Sequence, residues 1–268
     1  IMLRLKEPAT EEQRVLPNLE PLKELLRAPA LRFVKLYGFY FTNELCHAMA
    51  NALEAGSSIT DITFEYNCSF PDGGRAIIAN ALKTNVTVAD VEFLDDCDET
   101  VCNTLAAVLI CKSTLRKLTL RLQEEGAGGR WLSSISLSLG MNTTLESLSV
   151  SICDKFGDEL CEAIRNGLAK NSTLEELSLH DVLPSDDDGA VSARNALSFL
   201  RTDSTLKSLT VSFAQTRNES YVSAFRLEAV KSIENTFLES LTIIGSYGSG
   251  IKAEDLLALI SAHQLNTM

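Results

Sequence analysis

The chain has 268 residues, 45 % of them hydrophobic and 6 % aromatic, and carries a formal net charge of −12. This apolar content supplies a core of Leu, Ile, Val and Ala and excludes wholesale disorder. The negative charge argues against a nucleic-acid backbone or an anionic membrane surface as the main partner, and no apolar run approaches the roughly 18 residues of a membrane span.

In chain order, Leu3-Arg4-Leu5 reads as the tail of a strand, and Pro17 to Arg27 reads as a helix with Leu19, Leu22, Leu25 and Leu26 inward. A strand pattern then recurs, with apolar residues at its first, fourth and sixth positions. It appears at Leu31/Val34/Leu36, Ile59/Ile62/Phe64, Val88/Val91/Phe93 and Leu115/Leu118/Leu120. It continues at Leu145/Leu148/Val150, Leu174/Leu177/Leu179, Leu206/Leu209/Val211 and Leu238/Leu241/Ile243. Successive copies are 28, 29, 27, 30, 29, 32 and 32 residues apart, a period that marks a repeat architecture, with insertions in the last two intervals.

A second pattern lies between the strands. Leu53, Leu82, Leu109, Leu139, Leu168 and Leu200 each fall six residues before the next strand. Met49, Ile78, Leu105, Ile135, Ile164 and Ala196 precede them by four. Cys46, Cys102, Leu132, Cys161 and Ala193 precede them by seven, with Arg75 as the exception, and Leu45, Val101, Trp131 and Leu160 by eight. Such offsets mark one face of a helix. The turn after each helix carries Gly56, Asn85, Lys112, Asn142, Asn171 and Asp203, a column that fits a left-handed C-cap everywhere except Lys112. Each repeat is thus strand, loop, helix, turn. One such unit cannot bury its apolar face alone, so stacking stabilises it.

Segments such as Asn80-Ala-Leu-Lys-Thr-Asn-Val-Thr-Val88 and Asn166-Gly-Leu-Ala-Lys-Asn-Ser-Thr-Leu174 carry a resemblance. Over roughly residues 20 to 265 the chain resembles leucine-rich repeat proteins of the ribonuclease-inhibitor-like subfamily. The resemblance implies an α/β fold: a curved solenoid with a parallel β-sheet on the concave face and α-helices on the convex face. The subfamily includes ribonuclease inhibitors, Ran GTPase activators, actin-capping proteins and the sensor arms of NOD-like receptors. The expected organisation is an N-terminal partial repeat or helical cap over 1–30 and an array of eight repeats over 31–268. Glu254 to Ala262 reads as a further repeat helix, Leu265 falls where another strand would begin, and no polar cap follows. The chain is therefore expected to be a piece of a longer protein with flanking domains.

Several features have structural explanations. The seven Cys include no CxxC pair. Cys46, Cys102 and Cys161 share a helix column, Cys68, Cys97 and Cys153 sit near strand ends, and Cys111 lies in a turn. They read as reduced structural thiols, which places the chain in the cytoplasm. Asn67, Asn85, Asn142, Asn171 and Asn218 match glycosylation sequons, but three of these are the repeat's own turn. Trp131 belongs to a core column. His47, His180 and His263 are scattered, and Gly126-Ala-Gly-Gly129 lacks the Lys-Ser/Thr of a phosphate loop. Asp186, Asp187 and Asp188 read as a solvated loop rather than a calcium site. No catalytic residue, metal site or cofactor is expected.

Two surfaces remain as candidates. Strand alternation turns the residues between the apolar positions outward. On that face Phe33, Lys35, Tyr37, Asp61, Glu65, Asp90, Glu92, Lys117, Arg121, Glu176 and His180 are the expected partner-binding residues, while Ser147, Ser149, Ser151 and the later Ser/Thr positions are bland. The loops joining strand to helix form an acidic rim of Asp95, Asp96, Asp98, Glu99, Glu124, Glu125, Asp154, Asp158, Glu159, Asp181, Asp186, Asp187 and Asp188. Only Arg130 and Lys155 oppose them there. A one-sided field of this kind speeds encounter with a basic partner. The leading expectation is a protein-interaction module, a sensor, receptor or scaffold arm, and not an enzyme. One alternative is a regulator of an enzyme, such as a GTPase activator or nuclease inhibitor. A second is a structural segment of a larger assembly.

Overall fold

A computed structural model of the chain describes residues 2–4, 20–65, 68–111, 114–122, 130–152, 158–182, 205–213 and 238–244. The chain divides into two compact units, Ile1–Leu122 with Asn142–Leu145, and Gln123–Met141 with Glu146–Met268.

The first unit runs β1 (Met2–Arg4), α1 (Glu20–Leu26), β2 (Phe33–Tyr37), α2 (Asn43–Glu54), β3 (Asp61–Phe64), α3 (Gly74–Ala81), β4 (Asp90–Cys97), α4 (Glu99–Ile110) and β5 (Lys117–Leu122). Its strands are parallel and neighbour one another in chain order. Parallel neighbours need a crossover, and the helix in each repeat supplies it. The strand expected near Leu3 is present, with Leu3 registered against Leu36. Alternation decides which side chains are inside. Val34, Leu36, Ile62, Phe64, Val91, Phe93, Leu118 and Leu120 are all buried, each stabilising the fold by about 1.5–3 kcal/mol. From the helices, Leu45, Cys46, Met49, Leu53, Ile78, Leu82, Val101, Cys102, Leu105 and Leu109 meet them.

Caps explain where the helices start. The Thr42 hydroxyl accepts from the Leu45 amide at 3.2 Å, and the Asp98 carboxylate accepts from the Val101 amide at 2.9 Å. The helix α3 is shorter, 8 residues against 12 in α2 and α4. It follows Pro71-Asp72-Gly73, and Gly73 takes a left-handed φ of 72°. A Cβ on Gly74 would stand 2.9 Å from both Cys46 Sγ and Pro71 Cδ, so only glycine lets α3 approach α2 here. This local change also explains the odd Arg75, whose guanidinium lies over the Phe70 ring at 4.6 Å.

The core departs from the expected aliphatic one. Phe41 stacks on Phe70 at 4.1 Å and Phe64 on Phe93 at 4.9 Å, with Phe39 beside Phe41. Edge contacts between Phe64 and both Phe41 and Phe70 complete the cluster. A low aromatic content does not prevent aromatics from concentrating in one place.

The second unit contains α5 (Arg130–Met141), β6 (Ser147–Ile152), α6 (Asp158–Leu168), β7 (Glu176–Val182), β8 (Ser208–Phe213) and β9 (Ser240–Ile244). Strands β6 to β9 are again parallel and in chain order. Helices α5 and α6 pack closely at Gly167, where a Cβ would sit 3.0 Å from Leu139 Cβ and 3.1 Å from the Ser136 carbonyl. Trp131, Leu132 and Cys161 fall on these helices. The expected helix positions Ala193, Ala196, Leu200 and Glu254 to Ala262 lie outside the described residues, as do Asp203 and Leu265. Each unit is an open, all-parallel strand-and-helix stack, the architecture of a repeat solenoid.

The turn column does more than cap a helix. Asn85, Asn142 and Asn171 are buried. Their Nδ2 groups donate to the carbonyls of Leu53, Leu109 and Leu139, in the last turn of the preceding repeat's helix, at 2.8, 2.9 and 2.7 Å. Each Oδ1 accepts from two amides that lead into the next strand: Thr87 and Val88, Thr144 and Leu145, Thr173 and Leu174. A glycan on any of the three would take the nitrogen that makes the buried bond, so these sequons are structural. Asn67 and Asn218 lie outside the described residues.

Replacing Asn85 by Ala leaves the Leu53 carbonyl with only the long 3.4 Å bond from the Gly56 amide and strands the Thr87 and Val88 amides at the strand entry, and is expected to cost about 1–3 kcal/mol. Urea unfolding followed by circular dichroism checks this. A midpoint equal to that of the unchanged chain would remove Asn85 from the interactions that hold consecutive repeats together.

Candidate functional site

The outward face of the first unit is built by register. The first row across it is Phe33, Asp61, Asp90 and Lys117, and the next is Lys35, Thr63, Glu92 and Thr119. Tyr37, Glu65 and Arg121 lie toward the strand ends. The expected order of residues on this face is therefore the observed one. Neighbouring strands are about 4.8 Å apart, so each row brings its side chains side by side.

Exposure and bonding differ between the rows. Phe33 is 59 % exposed, unusual for a phenyl ring. Lys35 forms an ion pair with Glu65, which raises the Lys35 pKa. The Thr63 hydroxyl donates to Glu92 Oε2 at 2.9 Å. The second row is thus largely satisfied by its own neighbours. In the first row, Asp61 accepts from the adjacent Thr60 hydroxyl. Neither Asp61 nor Asp90 is in an ion pair among the described residues. Burial, then the Glu92 and Asp61 carboxylates, raises the Asp90 pKa from its ordinary value, and Lys117 pulls it back in part.

Glu176 and His180 belong to the second unit. There the rows are Ser147, Glu176, Ser208 and Ser240, then Ser149, Ser178, Thr210 and Thr242. Glu176 is exposed, and His180 Nδ1 lies 3.2 Å from the Ser212 hydroxyl on the next strand.

The acidic rim is rearranged by the structure. Asp95 and Asp96 are not in a loop: β4 runs to Cys97, with a bulge between Phe93 and Asp96 that brings Asp96 opposite Arg121. Asp98 is the N-cap of α4 and Glu99 its first residue, so both serve the positive end of that helix. Asp181 lies in β7, and Asp158 and Glu159 open α6. Glu124, Glu125, Asp154, Asp186, Asp187 and Asp188 lie outside the described residues. A strand bulge has no clear signature in a repeat alignment, and the N-cap pattern Asp98-Glu99-Thr100-Val101 was the legible signal that the rim reading passed over.

The repeat pattern also gave no indication of an open groove of about 480 Å³ between α2 and α3. Its lining includes His47, Asn51, Glu54, Asn80 and Thr104. Cys46, Cys68, Cys97 and Cys102 are buried and form no disulfide, and burial pushes the Cys46 pKa up to about 11 and that of Cys102 higher still. Cys111 is exposed.

The fold and this face define the chain as an α/β strand-and-helix repeat solenoid. No protein-family model matches the chain, and no curated protein matches it. Among solved structures it is similar to the Leiomodin-1 Actin-Binding Site 2 (ABS2), at 15 % identity with a TM-score of 0.37, over 69 % of this chain and 90 % of that one.

Two outcomes are expected. A native-state thiol reagent labels Cys111 well before Cys46, Cys68, Cys97 and Cys102, as peptide mass mapping reads directly; early labelling of Cys102 would contradict its burial. Asp90→Asn raises stability at neutral pH by about 0.5 kcal/mol, because it removes a like charge from a cross-strand row. The folded pKa of Asp90 lies above the unfolded one, so the penalty of the ionised group is full above the folded pKa and gone below the unfolded pKa. The advantage of the Asn variant over the unchanged chain therefore shrinks as pH falls through that window. Thermal melts across pH test the trend, and an advantage that grew on acidification would refute it.

Proposed function

We propose that the chain is a leucine-rich repeat protein of the ribonuclease-inhibitor-like kind that binds a protein partner and performs no chemistry itself. The observation that carries this reading is the outward face of β2 to β5. An exposed Phe33 and a row of charged side chains stand there on a hydrogen-bonded parallel ladder. A surface already fixed by backbone pairing loses little entropy when it binds. An exposed aromatic beside charges is the composition of an interface anchor with a polar surround. The net charge of −12 supports a partner of positive charge, drawn in by the field of the whole chain. Buried thiols that form no disulfide support a reducing compartment such as the cytoplasm.

The test is partner recovery with single substitutions on two faces. Phe33→Ser is expected to weaken recovery of bound protein about tenfold or more. Leu137→Ser, at an equally exposed position on α5, is expected to leave it unchanged. The reverse pattern would move the interface to the helices and end this reading.

A further inference from the structure

We infer that the first outward row of the first unit, Phe33–Asp61–Asp90, receives a segment of a protein partner that presents a Lys or Arg side chain next to an apolar one. This rests on the reading of that face as a binding surface and adds the chemistry of the occupant. The argument is one of charge complementarity along a registered row. Phe33 is registered with Asp61, and Asp61 with Asp90. Adjacent strands are about 4.8 Å apart, so a ring and two carboxylates fall within about 10 Å of one another. Like charges directly across strands cost stability, and among the described residues these two form no ion pair.

The neighbouring row shows the contrast. There Lys35 is paired with Glu65, and Glu92 already accepts a hydrogen bond from the Thr63 hydroxyl across the strands. The row also has a boundary. Lys117 on β5 follows Asp90 in register, so a cation from a partner is favoured over β3 and β4 and repelled at β5. An occupant matching this order puts an apolar side chain on Phe33 and its cation between Asp61 and Asp90. Nucleic acid and anionic lipid would meet the two carboxylates and are disfavoured.

Short fluorescent peptides in which Leu alternates with Lys, with Glu or with Ser serve as probes, with binding to the full chain read by anisotropy. The Lys peptide is expected to bind, more weakly as salt rises. Asp61→Asn with Asp90→Asn is expected to cut its affinity about tenfold. Glu24→Gln with Glu54→Gln, an equal charge change on α1 and α2, is expected to leave it unchanged. The Asp90→Asn chain should be no less stable than the unchanged one, so the loss would not be unfolding. Equal binding of the Glu or Ser peptide overturns the proposal. So does an affinity indifferent to the Asp61 and Asp90 changes, or self-association of the chain that those changes abolish. If Phe33→Ser weakens partner recovery while the Asp changes do nothing, the face remains an interface and the basic occupant is wrong. If neither change has an effect, both readings fall.

Discussion

A buried carboxamide has two N–H donors and a carbonyl with two lone pairs, and leaving any of them unmet in a core is costly. At Asn85 the structure meets all four. One N–H goes to the carbonyl of Leu53 in the preceding repeat and the other to the Thr87 hydroxyl at 3.3 Å. The oxygen takes two amides of its own turn. The same set recurs at Asn142 with Leu109 and Thr144. This closes the end of one helix and starts the next strand with a single side chain. The hydroxyl beside it differs between repeats: Thr87 donates to the Ser57 carbonyl, while among the described residues the buried Thr173 hydroxyl has no partner.

Everything on the outward faces depends on where those strands begin. Two successive amides at each strand entry donate to one carbonyl of the strand before: Thr60 and Asp61 to Arg32, Ala89 and Asp90 to Thr60, Arg116 and Lys117 to Ala89. Strand alternation has a period of two, so a slip of one residue would bury Asp90 and expose Val91. The turn and the ladder together therefore decide that Phe33, Asp61, Asp90 and Lys117 share a row. The surface chemistry is a consequence of core bonding.

The rows were legible because the apolar triplets fix both the strand and its register. Leu31/Val34/Leu36 against Ile59/Ile62/Phe64 already implies Phe33 beside Asp61. The Asn column was legible as a position but not as a role. Gly and Asn both tolerate a left-handed turn, and Gly56, with φ of 82°, does serve that way. The acceptor of the Asn85 amide lies 32 residues away and is visible only in three dimensions. The phenylalanine cluster was hidden for a related reason. Phe64 and Phe93 occupy repeat positions, but Phe39, Phe41 and Phe70 come from loops where the repeat imposes no pattern. Asp95 and Asp96 were misplaced because a bulge adds strand after the last apolar position of the triplet.

Placing Asp90 next to Asp61 opposes stability, since burial and two neighbouring carboxylates all favour its neutral form. A fold that only had to be stable would gain by neutralising either residue, much as Lys35 and Glu65 neutralise each other one row away. The cost is small, because Asp61 and Asp90 are both partly solvated and Lys117 offsets part of it. Core burial in the same repeats outweighs it several-fold. The row can therefore keep its charge without endangering the unit, and stability and surface chemistry are set by opposite faces of the same strands. Changes at Val91 or Phe93 should act on folding. Changes at Asp90 should act in the other direction on folding and separately on what the face can hold.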